Sequence, residues 1–201
     1  MNTFFISITI LIIVLQSLYI SALQRSHLHP GVFSQKAGRM RLAWYGLLRV
    51  PGALVAFDIR GMHTLNAVLG YSQANRMLSR LLGVCSTRRD IVATWGGDEF
   101  IVFIPYGKLG DANNLVGRLT GKAKELSAEI PEFEITQLIK WTGGIIDGLH
   151  LSAAIVEYTR NPLQAAQRAV DETEVIKVRG AKITGRRETT GNKGTLLSVI
   201  A

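Results

Sequence analysis

The chain predicts an α/β domain of about 150 residues, enough for one proper core, behind a single membrane-crossing helix. Three observations carry this. Short apolar runs rich in β-formers alternate with segments whose apolar residues recur at helical spacing. Two of those runs flank Gly96-Gly97-Asp98-Glu99, the pattern of a tight hairpin. The third is Thr3 to Leu23, a stretch without a charged residue and long enough to span a bilayer as a helix.

Taken in order, residues 1–23 are expected to form that transmembrane helix. No basic n-region precedes it and no small-x-small cleavage site follows, which argues against a cleaved signal peptide. Arg25, Lys36, Arg39, Arg41 and Arg49 all follow the apolar stretch and none precedes it. The positive-inside rule therefore predicts a single pass through the cytoplasmic membrane with the C-terminal domain in the cytoplasm. Residues 24–49 form a basic juxtamembrane linker, too short for a separate sensory domain, with an amphipathic stretch around Met40 to Leu48. Trp44, Leu47 and Leu48 either pair with a second copy or pack on their own domain.

The domain proper is expected over residues 50–183. Strands are predicted at Ala53–Asp58, Ile91–Trp95, Phe100–Pro105 and Leu149–Tyr158, with another around Phe133–Trp141. Helices fill the intervals: Ala74, Met77, Leu78, Leu81, Leu82 and Cys85 recur at helical spacing, as do Leu115, Val116, Leu119, Ala123 and Leu126. These are core faces. The last helix is capped by Asn161, carries Pro162 at its first position and stops at Gly180. Residues 184–201 read as a basic flexible tail, polar and glycine-containing from Thr184 to Asn192.

The net charge of +8 is divided between the juxtamembrane cluster and the tail around Lys182, Arg186, Arg187 and Lys193. Anionic lipid of the inner membrane is the expected partner of the first cluster. A nucleic-acid polymer is not expected, since no zinc-ligand set, RNA-binding motif or aromatic interleaving accompanies the basic residues. Cys85 is the only cysteine, which excludes an intrachain disulfide and a cysteine-based zinc site.

Candidate chemistry lies in two places. Asp58 ends an apolar strand, where α/β folds tend to bind ligands, and Asp98-Glu99 occupies the glycine turn. Together these acids suit a divalent metal against a nucleotide triphosphate. Taken alone, the turn reads equally as ordinary hairpin chemistry with two solvated acids.

Gly96-Gly97-Asp98-Glu99-Phe100 resembles in full the hallmark of the GGDEF family of diguanylate cyclases. The resemblance continues upstream, where Asp58 through His63, Asn66, Gly70 and Asn75 fall at the family's spacing. Downstream, Leu151–Ile155 resembles its Ser-x-Gly strand and Lys177-Val178-Arg179-Gly180 its Lys-x-x-Gly. The resemblance covers roughly residues 50 to 183. It implies a palm-like, nucleotidyl-cyclase-type fold with a mostly antiparallel central sheet flanked by helices. It also implies condensation of two GTP molecules into cyclic di-GMP with loss of pyrophosphate, a homodimer in which each chain contributes one GTP, and Mg²⁺ or Mn²⁺ as cofactor.

On that resemblance Asp58 and Asp98 are metal ligands, the Ile59 carbonyl is a third, and Glu99 is either a further ligand or a proton acceptor. Gly61 and Met62 offer amides to the phosphates, His63 and Lys177 face them, Asn66 and Asn75 meet the base, and Gly96 and Gly97 let backbone approach the nucleotide. Several positions depart from the pattern. Arg60 stands where a second aspartate is usual, and His63 replaces a lysine with a side chain mostly neutral at cytoplasmic pH. Ala181 and Thr94 replace arginines. Asn75 replaces the aspartate that reads guanine, leaving a relaxed purine choice or simple helix capping as its role. The product-inhibition motif keeps Asp90 but has Thr87 at its arginine, so no inhibitory site is expected. Three readings stay open: an active cyclase, a degenerate module that binds nucleotide or scaffolds a partner, and a related cyclase with another product.

Overall fold

The computed structural model describes residues 11–13, 15–16, 31–85, 90–144, 146–179, 188–190 and 194–200. Among them no helix is long and apolar enough to cross a membrane, and most of the expected span, Thr3 to Leu23, lies outside the described residues. The domain is a twisted seven-stranded sheet in the order β1-β3-β4-β2-β5-β7-β6. Its strands are β1 (Val32–Phe33), β2 (Gly52–Arg60), β3 (Ile91–Thr94), β4 (Glu99–Pro105), β5 (His150–Tyr158), β6 (Glu188–Thr190) and β7 (Gly194–Ile200). Every pairing is antiparallel except β1 with β3, as expected for a mostly antiparallel sheet.

Among the described residues six helices cover the faces: α1 (Gln35–Leu47), α2 (Met62–Leu69), α3 (Tyr71–Gly83), α4 (Leu109–Ala128), α5 (Glu132–Thr142) and α6 (Pro162–Arg179). Side chains alternate across β2, and the alternation divides the core in two. Ala53, Val55, Phe57 and Ile59 join one apolar cluster with residues of α2 through α5. Leu54 and Ala56 join the other, which includes Leu42 of α1 and Ala165, Ala166, Ala169 and Val170 of α6. The two helical stripes predicted on α3 and α4 are buried in the first cluster. Cys85 is fully buried there too, and burial pushes its thiol up to about 12. Asn161 caps α6 as expected, accepting from Gln164 N at 3.1 Å.

Three expectations change. The predicted strand at Phe133–Trp141 is α5. Its β-branched and aromatic content resembles a strand, yet Pro131 at the start, Glu132 and Glu134 in the first turn, Lys140 in the last turn and Gly143 in the left-handed conformation (φ 63°) all favour a helix. Residues Glu188–Thr190 and Gly194–Ile200, read as flexible tail, are strands, with β7 hydrogen-bonded along β5. The polar residues before them misled, because β7 itself reads TLLSVI. Finally, much of the linker belongs to the domain, since Val32, Ala37 and Leu42 are each at most 2% exposed.

Candidate active site

β2 runs through the middle of the sheet, and its pairing brings the functional positions together. Asp58 is in register with Glu99 of β4 on one side and Ser152 of β5 on the other. Opposed residues share a face, and this one is the α1/α6 face, because Asp58 follows Leu54 and Ala56 by even steps. Asp58 is only 1% exposed although it carries a carboxylate. Ser152 is fully buried, and its hydroxyl has no hydrogen-bond partner among the described residues. It is a position that the sequence resemblance left out of the site, and the pairing of β5 with β2 places it there.

The β3–β4 hairpin carries the glycine turn. Trp95 N donates to Glu99 O at 2.8 Å, closing the tip, and Ile59 N donates to Asp98 O at 3.3 Å, joining the turn to the end of β2. The Glu99 carboxylate folds back over Gly96, so that a Cβ there would lie 2.4 Å from Oε2. Asp98 and Glu99 are both half-buried. Among the described residues, no three acidic, histidine or cysteine side chains converge into a metal cage. Asp58 and Glu99 instead offer a carboxylate pair, and Mg²⁺ is commonly held by one or two carboxylates together with substrate phosphates and water. The hard-oxygen donor set therefore fits such an ion.

The base of the turn is gripped from α1. Gln35 Nε2 donates to the Trp95 carbonyl, and the Arg39 guanidinium lies 4.5 Å from the Trp95 ring centroid. Thr94, in place of the family's arginine, reaches across to β1, its hydroxyl 3.5 Å from the Phe33 carbonyl. Neither Gln35 nor Arg39 was singled out by the sequence, because no local pattern reports a contact across some 60 residues.

Beyond β2 the chain turns at Gly61, whose φ of 71° and the position of Ile146 exclude a side chain: a Cβ would sit 1.9 Å from Ile146 Cδ1. Gly61 thus starts α2 without a side-chain cap, leaving the first amides of the helix, around Met62 and His63, for an external acceptor. His63 is exposed and Met62 packs against the core. The Oδ1 atom of Asn66, one turn on, is buried with no hydrogen-bond partner among the described residues. Asn75 lies inside α3 and is exposed, so the capping role considered for it does not hold; the N-cap of α3 is Gly70. Lys177 lies in the last turn of α6, Asp90 is half-buried just ahead of β3, and Thr87, Gly180, Ala181 and Lys182 fall outside the described residues.

Residues 40–173 match the family described as "Diguanylate cyclase, GGDEF domain". No curated protein matches the sequence. Among solved structures, the chain is similar to the diguanylate cyclase SiaD of Pseudomonas aeruginosa, crystallised with its activator SiaC, at a TM-score of 0.64 and 16% identity over 89% of this chain and 67% of that one. It is similar to the GGDEF domain of DgcB from Caulobacter crescentus in complex with c-di-GMP, at a TM-score of 0.60 and 16% identity over 79% of this chain and 89% of that one. The GGDEF domain of YfiN from Pseudomonas aeruginosa gives 0.55 and 20% over 79% and 90%. At these identities the likeness is one of fold, whereas the family match spans most of the chain, from α1 into α6, and includes the carboxylate pair, so the chain belongs to the GGDEF family of diguanylate cyclases.

Proposed function

We propose that the chain is a membrane-anchored diguanylate cyclase that condenses two GTP into cyclic di-GMP, each of two chains presenting one GTP to the other. The observation that carries this reading is the burial of Asp58 in register with Glu99 at the end of the central strand. Two acids in register at the end of a central strand offer the hard-oxygen ligands that a divalent cation takes.

GGDEF cyclases generally use a divalent metal, and Mg²⁺ or Mn²⁺ would neutralise the phosphates and lower the pKa of the attacking 3′-hydroxyl. Asp58 and Glu99 would hold it, with Asp98 and the Ile59 carbonyl adjoining. The uncapped start of α2 at Gly61, Met62 and His63 would take the phosphates, because helix N-termini point N–H groups and a partial positive charge at anions. The unsatisfied Asn66 Oδ1 would accept from the base edge, with Asn75 beyond it, and Lys177 would add positive charge from α6. Gly96 keeps the Glu99 carboxylate close to the turn, and Gly97 leaves the tip open. Anchoring follows from Thr3 to Leu23, and the basic residues behind it favour a cytoplasmic domain against anionic lipid.

A second reading, a degenerate module that binds nucleotide or scaffolds a partner, is favoured by His63 and Asn75 in place of charged residues and by the lack of a three-acid cluster among the described residues. One experiment separates them. The domain from Gly31 onward, joined as dimers, is incubated with Mg²⁺ or Mn²⁺ and each purine triphosphate, and the products are identified by mass. Cyclic di-GMP that disappears with Asp58→Asn and Asp98→Ala supports the cyclase. GTP binding without product supports the degenerate module, and adenine-containing product points to relaxed base choice at Asn75.

A further inference from the structure

Helix α1 has two apolar faces, and only one of them is used by the domain. Gly38 and Leu42 are buried on the side that meets the domain, Gly38 against Ala93 and Leu42 in the cluster shared with α6. On the opposite side Met40, Trp44, Leu47 and Leu48 recur at i, i+4, i+7 and i+8 and are 40%, 58%, 73% and 66% exposed. Four large apolar side chains in one stripe make more than the scattered exposure ordinary in a soluble domain.

Charge identifies what covers them. From residue 1 to residue 57 the chain contains no Asp or Glu, while Arg25, Lys36, Arg39, Arg41 and Arg49 give this stretch five positive charges. Lys36 lies one turn before Met40 on the same stripe, and exposed Arg49 directly follows Leu48. A second copy laid on this face would oppose α1 to α1, cation to cation, with no acid in either helix to relieve it. An anionic bilayer complements both the charge and the apolar stripe, the combination by which interfacial helices lie in a membrane surface. Only Gln24 to Ser34 separates the uncharged segment Thr3–Leu23 from the start of α1, eleven residues that extend at most about 40 Å.

We infer that α1 docks its Met40–Trp44–Leu47–Leu48 face into an anionic lipid surface, so that the domain is held against the bilayer by its own first helix as well as by a tether. This rests on the reading that Thr3–Leu23 spans the membrane, and the test scores the two separately. The full chain is reconstituted in vesicles with brominated acyl chains, with and without phosphatidylserine. The Trp44 signal is obtained by subtracting the emission of a Trp44→Phe chain, which removes the contributions of buried Trp95 and exposed Trp141. Alkaline carbonate extraction scores the span.

Trp44 emission is expected to lose most of its intensity in anionic vesicles, to recover in high salt, and to be unquenched in a Leu47→Glu/Leu48→Glu chain that still resists carbonate. Unquenched Trp44 in a carbonate-resistant native chain would overturn the docking and leave the span standing. If carbonate extracts the chain, the span fails; quenching on added anionic vesicles then still supports the docking, and its absence overturns that too. Leu48→Cys distinguishes the remaining occupant, because Cys85 is buried and the new thiol is the accessible one. Cross-linking between chains at that thiol with Trp44 unquenched would assign the face to a second copy and overturn the proposal.

Discussion

The two faces of the central sheet are built from the same strands but serve different ends. On the face covered by α2 through α5, the buried side chains contributed by β2 and β4 are apolar, and Phe57 stacks on Phe100 with ring centroids 5.3 Å apart. On the face covered by α1 and α6 lie Asp58 and Ser152, with Thr173 of α6 on the helix stripe that covers them; these are the three buried polar side chains among the described residues. Thr173 is satisfied within its own helix, donating to the Ala169 carbonyl at 2.8 Å. Asp58 and Ser152 lie together at the end of their strands beside the turn. One face therefore supplies cohesion, and the other brings the buried polar side chains of the sheet to the turn.

Substitutions on the two faces should separate stability from chemistry. Phe57→Ala is expected to cost about 3–5 kcal/mol of unfolding free energy, the usual cost of emptying an aromatic from a core, read as a lower denaturant midpoint. Asp58→Asn should do the reverse. It keeps the shape of the side chain, so the midpoint should move less than in Phe57→Ala while cyclic di-GMP formation falls on the order of 10²-fold or more. Equal loss of stability in both variants would erase the distinction between the faces.

Gly96→Ala sharpens the comparison within the polar face. The added Cβ meets only the movable end of Glu99, so unfolding should change little while turnover falls on the order of tenfold by displacing that carboxylate. Arg39→Ala, which removes a cation from the Trp95 ring, should cost about 0.5–1 kcal/mol and raise amide exchange at Trp95 through Glu99 above that elsewhere in the sheet. Near neutral pH the smallest effect belongs to Cys85. Its folded-state value is raised from 9.0 to about 12, so its contribution is complete below pH 9.0 and is lost as pH rises toward 12. In the native protein it should resist thiol reagents that modify it on unfolding.

The legible parts of this molecule are those whose signal is local. Period-two and helical spacing located β2, β3, β4, β5 and the buried stripes of α3 and α4 within a few residues. The glycine turn and Asp58 stood out because Gly96 to Phe100 is a contiguous motif and Asp58 falls at the matching spacing upstream of it. Helix α5 was hidden by a composition that favours a strand, since Phe133, Ile135 and Ile139 outweighed the end signals at Pro131 and Gly143. Strand β7 was hidden by its polar approach. The grip of Gln35 and Arg39 on Trp95, and the place of Ser152 beside Asp58, depend on which strands become neighbours, and no window of sequence contains that information.

The register of β2 turns the active site into a matter of counting. Asp58 meets Glu99 and Ser152 because it lies two and four positions beyond Ala56 and Leu54, even steps that face the same helices. Removing a single residue between Ala53 and Phe57 would leave every functional side chain in the chain and yet turn the carboxylate into the aromatic layer around Phe100. Removing two would restore the face but slide the acid about 7 Å along the strand, past its partners. Point substitution can retune this site by degrees, whereas a change of length in this strand is all or nothing. Variation among natural sequences of this kind should therefore accumulate as exchanges in β2 and as insertions only in the loops beyond it.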